Sequence, residues 1–401
     1  LDTVVVVGAS LAGLRATETL RREGYDGRLV VIGAEPHLPY DRPPLSKELL
    51  AGEVEGADIA LRRAPYDDLD LEFRLGSRAV RLDLGARLVE LDDGDRVAFD
   101  GAVLATGSAP RVLPGTPPLD GLFVLRTLDD ALAIRARLDG SPRVVVVGAG
   151  FIGSEVAATC RLRGLDVTVL EALPAPLVRG LGPVLGAVCG ELHRDHGVDL
   201  RLGVGVAGFD GRGRVERIRL DDGSTIDADL VVVGVGVAPV TDWLEGSGLT
   251  LDNGVVCDES LLAAPGVVAA GDITRWPNPL FDGELMRLEH WTNASDMGVA
   301  AAKRLLHGSG SDPEPFAPVP FVWSDQYDRK IQTAGHFRGD DEMVVVHGSL
   351  EERRFVAVFG RAERIVGVLG FSMPAKLMQY RRLIAERASF ADALEHARAA
   401  A

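Results

Sequence analysis

A β-branched strand, a glycine-rich turn and an amphipathic helix occur in that order twice in this chain, and no other feature restricts the fold as much. The first occurrence is an apolar strand at 3–7, then Gly8-Ala9-Ser10-Leu11-Ala12-Gly13, helical spacing through Leu14 and Leu20, and a second strand at 29–32. The second repeats the plan: a strand at 143–147, then Gly148-Ala149-Gly150-Phe151-Ile152-Gly153, a helix through Val156 and Leu162, and a strand at 167–170. The three glycines of such a turn serve different physical ends. One allows the tight turn, one the close approach of backbone to a pyrophosphate, and one the close packing of helix on strand, with the helix N-terminus facing the phosphates. One such turn is weak evidence of a ligand. Here each follows a strand, opens a helix and precedes an acid, Glu35 and Glu171, that lies 22 and 18 residues beyond the third glycine, near the spacing expected for a carboxylate on a ribose hydroxyl. Ser10 replaces the middle glycine of the first turn. It is small, and its hydroxyl can donate to a phosphate oxygen.

Strand-like segments at 79–84, 87–91 and 97–105 lie between the two units and end in Ala105-Thr106-Gly107. After the second unit, 230–237 repeats that ending as an apolar strand running into Gly234-Val235-Gly236, and 267–269 runs into Gly271-Asp272. The proline-dense stretch 313–320 reads as a linker. Beyond it, strands at 331–334, 343–347, 355–359 and 365–370 and a final helix suggest an α+β module, with the Ala-rich end 388–401 a fraying surface helix.

At 401 residues the chain exceeds one ordinary core, so two or three domains are expected. A net charge of −16 disfavours nucleic acid, which needs clustered cations. Segment 315–401 holds 12 basic and 11 acidic residues, a net +1, which leaves −17 for 1–314; the tail is thus a candidate face for an acidic partner. Cys160, Cys189 and Cys257 are far apart with no C-x-x-C pair, which suits a reducing compartment. No basic, apolar leader precedes the first strand and no apolar run nears the roughly 18 residues of a membrane span, so a cytoplasmic protein without a membrane partner is expected.

Together these landmarks resemble the two-dinucleotide-binding-domain flavoproteins, and within them the NADH-dependent ferredoxin reductases that serve bacterial oxygenases and cytochromes P450. The most specific match is Tyr40-Asp41-Arg42-Pro43-Pro44-Leu45-Ser46-Lys47, which is similar to the R-P-P-L-S-K stretch beside the flavin ring in that family. Ala269-Ala270-Gly271-Asp272 is similar to its second FAD motif. Further matches are Leu125-Arg126-Thr127, Glu289-His290-Trp291-Thr292-Asn293-Ala294 and Phe321-Val322-Trp323-Ser324-Asp325-Gln326-Tyr327.

The resemblance implies an α/β fold of two Rossmann-like domains, glutathione reductase-like, with a discontinuous FAD domain (1–108 and 233–313) around an NAD domain (109–232) and a C-terminal α+β domain (314–401). It implies FAD contacts at Gly8, Ser10, Ala12, Gly13, Glu35, Arg42, Pro44, Lys47, Ala79, Thr106, Gly107, Arg126, Gly271, Asp272 and Trp291. Dinucleotide contacts would fall on Gly148, Gly150, Phe151, Ile152, Gly153, Glu155, Glu171 and Gly236. Lys47 and Glu155 would pair to close the hydride-transfer site, and Trp323 would contact the cofactor near the electron exit. Glu171 favours NADH, because a carboxylate repels a 2′-phosphate; the nearby Arg179 leaves NADPH possible. The implied reaction passes hydride from NADH to flavin N5 and then single electrons to an acidic [2Fe-2S] ferredoxin docked near the C-terminal domain.

Three other readings carry less support. A disulfide reductase needs a thiol beside the flavin, where this chain has Pro, Leu, Ser and Lys. A scaffold resembling apoptosis-inducing factor should show a leader and a basic surface. A rubredoxin reductase differs only in its partner. Cys189, His193 and His196 share a helical face, but without a fourth ligand they are expected to be ordinary residues of a solvated surface helix, with no metal.

Overall fold

The computed structural model describes residues 1–308 and 313–399. They form two compact units, each discontinuous in sequence: Leu1–Asp41 with Ile59–Ala109 and Ala238–Phe321, and Arg42–Asp58 with Pro110–Val237 and Val322–Ala401.

In the first unit, valine-rich strands form a six-stranded sheet in the order Leu262–Ala264, Val267–Ala269, Gly101–Leu104, Thr3–Val7, Arg28–Gly33, Leu71–Leu75. All neighbours run parallel except the edge strand Leu262–Ala264. A parallel strand covered on both faces is apolar without alternation, which is why Val4, Val5 and Val6 can be consecutive and all fully buried. Helices Leu11–Arg22 and Trp291–His307 cross closely: a β-carbon at Gly298 would lie 2.4 Å from the Ala12 carbonyl oxygen. Small residues at the crossing permit that approach. The stretch 97–105, expected as one strand, is two, Arg96–Ala98 in a three-stranded antiparallel sheet and Gly101–Leu104 in the main one. The proline-dense segment is tied down, since the Trp276 indole N–H donates to the Phe316 carbonyl at 3.0 Å and the Asn278 amide to that of Pro318 at 3.1 Å. Residues 309–312, just before it, lie outside the described residues.

The second unit contains a five-stranded parallel sheet in the order Asp199–Leu202, Val167–Glu171, Val144–Val147, Leu230–Val233, Leu122–Val124. Successive side chains of a strand face opposite sides. Val144 and Val146 accordingly pack with Ile134, Leu138, Val156 and Cys160 of two helices, and with Leu50. Val145 and Val147 face Phe209, Ile218 and Ile226 of a three-stranded antiparallel sheet. The apolar run expected to continue to residue 237 stops as a strand at Val233, and Gly236 turns with φ +102°.

The C-terminal residues add a five-stranded sheet, Phe321–Gln326, Arg329–Gly335, Arg364–Phe371, Arg354–Arg361, Glu342–Ser349, with helices Pro374–Ala385 and Phe390–Ala399. Positions 400 and 401 of the Ala-rich end lie outside the described residues. Helix Val178–Asp195, broken at Gly182, meets this module. His193 Nδ1 hydrogen-bonds the Tyr327 hydroxyl at 2.9 Å, the His196 ring stacks on the Tyr327 ring with centroids 3.7 Å apart, and Arg353 pairs with Asp195. The expectation of a solvated helix face is therefore corrected: Cys189 and His193 are buried, and Tyr327 of the module covers His193. Among the described residues no cluster of His, Cys, Asp and Glu is arranged to hold a metal.

Burial, and secondarily the neighbouring His196, pushes the His193 pKa down to about 4. Its ordinary value is 6.5, so the unfolded chain binds the proton in the interval between. The stability His193 contributes is present above pH 6.5 and is lost as pH falls toward 4. By linkage the loss between pH 7 and pH 5 is about 2 kcal/mol. Urea unfolding at both pH values should show that extra acid sensitivity in the wild type and not in His193→Gln.

Candidate functional site

In the first unit the glycine turn is shaped by steric exclusion. Gly8 has φ +125°, and a β-carbon there would lie 2.0 Å from the Ala105 carbonyl oxygen; one at Gly13 would lie 1.9 Å from that of Gly8. Ser10 caps helix Leu11–Arg22 by position while its side chain makes no capping bond, so the hydroxyl is not used up by its own helix. Ala12 packs on Gly271, whose φ is +80°. Glu35 follows the adjacent strand and accepts a hydrogen bond of 2.5 Å from the Tyr40 hydroxyl. Asp272 accepts one of 2.7 Å from Ser108. The Trp291 indole donates to Asp41 at 2.6 Å, at the start of helix Trp291–His307. Thr106 donates to the Val240 carbonyl at 3.0 Å, beside Gly107 with φ +67°. Ala79 is a buried strand residue. A turn closed to side chains, with an acid at the end of the neighbouring strand, fits a dinucleotide such as FAD.

The second unit repeats the turn. Gly148 has φ +98°, and β-carbons at Gly148 and Gly153 would approach the carbonyl oxygens of Gly234 and Gly148 to 2.4 and 2.0 Å. At Gly150 a β-carbon would meet open space, which is what close approach of a phosphate requires. Phe151 and Ile152 open the following helix, Phe151–Leu162. Glu171 sits at the mouth of the turn, its two oxygens accepting from the backbone N–H groups of Ala149 (2.7 Å) and Leu173 (2.9 Å). Arg179 is exposed in the first turn of helix Val178–Asp195.

The remaining candidates belong to this second unit. Pro43 and Pro44 fix φ through a short 3-10 turn, Pro43–Ser46, after which Ser46 and Lys47 both reach Glu155. That carboxylate is 3% exposed. Its Oε2 accepts from Ser46 Oγ at 2.5 Å and Lys47 Nζ at 3.0 Å; its Oε1 accepts from Ser324 Oγ at 2.8 Å and the Asp325 N–H at 3.3 Å. Arg42 donates to the Arg126 backbone carbonyl at 2.6 Å, which ties the segment after Asp41 to the one that carries Arg126. The expected Lys47–Glu155 pair is thus formed. Four residues of these sites, Tyr40, Ser46, Ser108 and Ser324, have no spacing or periodicity in the sequence that singles them out. Tyr40, Ser46 and Ser324 lie inside family-like motifs, and that position is the available signal.

The cysteines take no part. Burial pushes the thiols of Cys160, Cys189 and Cys257 up to about 12, so each is an inert packing group.

Residues 2–298 match the pyridine nucleotide-disulphide oxidoreductase family, and 321–399 match the reductase C-terminal family. The chain belongs to the pyridine nucleotide-disulphide oxidoreductases, in their ferredoxin-reductase branch. Rhodocoxin reductase of Rhodococcus erythropolis is 38% identical over 96% of this chain and 89% of its own length. The ferredoxin reductase component of the chlorobenzene dioxygenase of Cupriavidus sp. is 38% identical over 97% and 94%. Among solved structures, the covalent putidaredoxin reductase–putidaredoxin complex superposes with a TM-score of 0.92 at 32% identity, covering 100% of this chain and 99% of that one. The reductase is an oxidoreductase of the ferredoxin–NAD(+) type, a class that works with a flavin and a pyridine nucleotide. No helix among its described residues is long and apolar enough to cross a membrane.

Proposed function

We propose that this reductase oxidises NADH with the help of FAD and delivers the electrons one at a time to a [2Fe-2S] ferredoxin that supplies a cytochrome P450 or a ring-hydroxylating oxygenase. The observation that carries the reading is Glu155, a buried carboxylate two residues past Gly153 in the second fingerprint helix, held by Lys47 and two serines. Burying an ion pair rarely stabilises a fold over an apolar alternative, so its presence inside a nucleotide layer argues for a functional role there. Resemblance to the oxygenase components and to the putidaredoxin system supports the choice of partner.

FAD, held by Gly8, Ser10, Gly13, Glu35 and Asp272, would supply the exchange between a two-electron hydride and single electrons. The chain's own residues do the rest. Gly148, Gly150 and Gly153 admit the pyrophosphate of the nicotinamide dinucleotide, Glu171 receives its ribose, and Glu155 with Lys47 orients the nicotinamide end. Glu171 favours NADH over NADPH. The assignment of Arg42, Pro44, Lys47, Ala79, Arg126 and Trp291 to the flavin rests on the resemblance, as do the domain division at 108, 232 and 313 and the place of Trp323 at the exit; the cytoplasmic location rests on the sequence pattern alone. The less acidic tail suits an acidic ferredoxin through charge complementarity, so docking should weaken with salt.

Anaerobic stopped-flow absorbance tests this. Mixing with NADH should bleach the flavin faster than mixing with NADPH, and adding a [2Fe-2S] ferredoxin should restore the colour as that protein is reduced. Bleaching without transfer to ferredoxin would remove the partner and favour rubredoxin; no bleaching would sink the assignment.

A further inference from the structure

Glu155 is held from two parts of the chain that are remote in sequence. Oε2 faces Ser46 and Lys47, whereas Oε1 faces Ser324 and the amide of Asp325, at the end of the first strand of the C-terminal module. Ser324 is 0% exposed. Its oxygen in turn accepts from the Gln326 side chain at 3.3 Å, and Asp325 is paired with Lys330 at 3.0 Å. Tyr327, two residues past Asp325, has φ +57° and is fixed by His193 and His196. The segment that presents Ser324 is therefore clamped on both sides, and it also carries Trp323. A carboxylate with donors on one oxygen only could rotate about its terminal torsion, which is soft. Donors on both oxygens hold its plane.

We propose that Ser324 is a positioning residue for the nicotinamide end of the dinucleotide: it fixes Oε1 of Glu155, sets the plane of the carboxylate, and so makes the C-terminal module part of the pyridine-nucleotide site. The inference rests on the reading that Glu155 meets the nicotinamide. By linkage, whatever shifts the strand around Trp323 changes nicotinamide affinity, and the reverse holds equally.

The test compares binding of NAD+ with that of ADP-ribose, which lacks the nicotinamide, by calorimetry on the FAD-loaded protein. Loss of a hydrogen bond to a charged group predicts that Ser324→Ala weakens NAD+ by about tenfold and leaves ADP-ribose unchanged, with Ser324→Thr restoring NAD+ affinity. If Ser324→Ala binds both as the wild type does while Glu155→Gln loses NAD+ selectively, the positioning role is wrong and the reading of Glu155 stands. Equal weakening of both ligands would reduce Ser324 to a structural part and overturn the proposal. If Glu155→Gln changes neither, the reading beneath the proposal fails with it. Should the alanine variant not fold, Ser324→Cys, near in volume and a weak donor, supports the same comparison.

Discussion

Replacing Lys47 by methionine is expected to destabilise the folded reductase by about 3 kcal/mol, because removing one partner of a buried ion pair leaves the other charge uncompensated. Lys47 and Glu155 are 3.0 Å apart with side chains 13% and 4% exposed, so water can screen little of the loss. The hydroxyls of Ser46 and Ser324 remain as partners, which places the cost at the lower end of the range for such pairs. Removing both charges together is a different matter. Lys47→Met with Glu155→Gln should recover most of the loss, since the amide oxygen can still accept from Ser324 and the Asp325 N–H while the amide NH2 donates to the Ser46 hydroxyl. Chemical denaturation of Lys47→Met and of the double variant checks this; a Lys47→Met protein as stable as the wild type would mean that the pair is not formed in solution.

The second large effect separates two glycines three residues apart. Alanine at Gly153 would put its β-carbon 2.0 Å from the Gly148 carbonyl oxygen, a backbone atom that cannot yield without moving the helix off its strand. A cost of about 3 kcal/mol is expected, together with loss of dinucleotide binding. Alanine at Gly150 meets nothing within 4 Å, and φ −76° is open to any residue. Its melting temperature should match the wild type while NADH binding weakens at least about tenfold, because the new methyl occupies the path of the pyrophosphate. Thermal melts and NADH titrations of both variants decide it. A destabilised Gly150→Ala would show that the turn is tight there as well.

The contrast between these glycines explains what can be read from the chain alone. A fingerprint glycine is required by atoms a few residues away, such as Gly148 for Gly153, so a short stretch of letters records the whole constraint. The same holds for Val144–Val147, whose unbroken apolar run announces a strand covered on both faces. Glu155 and Lys47 are legible through the motifs around them. Ser324 also lies in such a motif, but its role is not legible there, because what gives it meaning is an oxygen 169 residues earlier in the chain. His193 defeats the sequence reading for the same reason: helical periodicity shows which residues share a face, but the cover over that face, Tyr327, arrives from a distant segment. Tyr40 on Glu35 and Ser108 on Asp272 are likewise partners across loops, where neither period nor spacing carries a signal.

The discontinuity of the first unit has a consequence for how the molecule is made. Its strand Gly101–Leu104 needs Val267–Ala269 as a neighbour, and that partner is synthesised only after all of 110–237. At ordinary elongation rates the wait on the ribosome is on the order of ten seconds. Throughout it, a hydrophobic strand edge stands open to other chains, a template for unwanted pairing. Chaperone demand and aggregation during production should therefore concentrate on nascent chains that have passed residue 104 and not yet reached 269, and slowing initiation, which spaces ribosomes on the message, should raise the yield of folded protein.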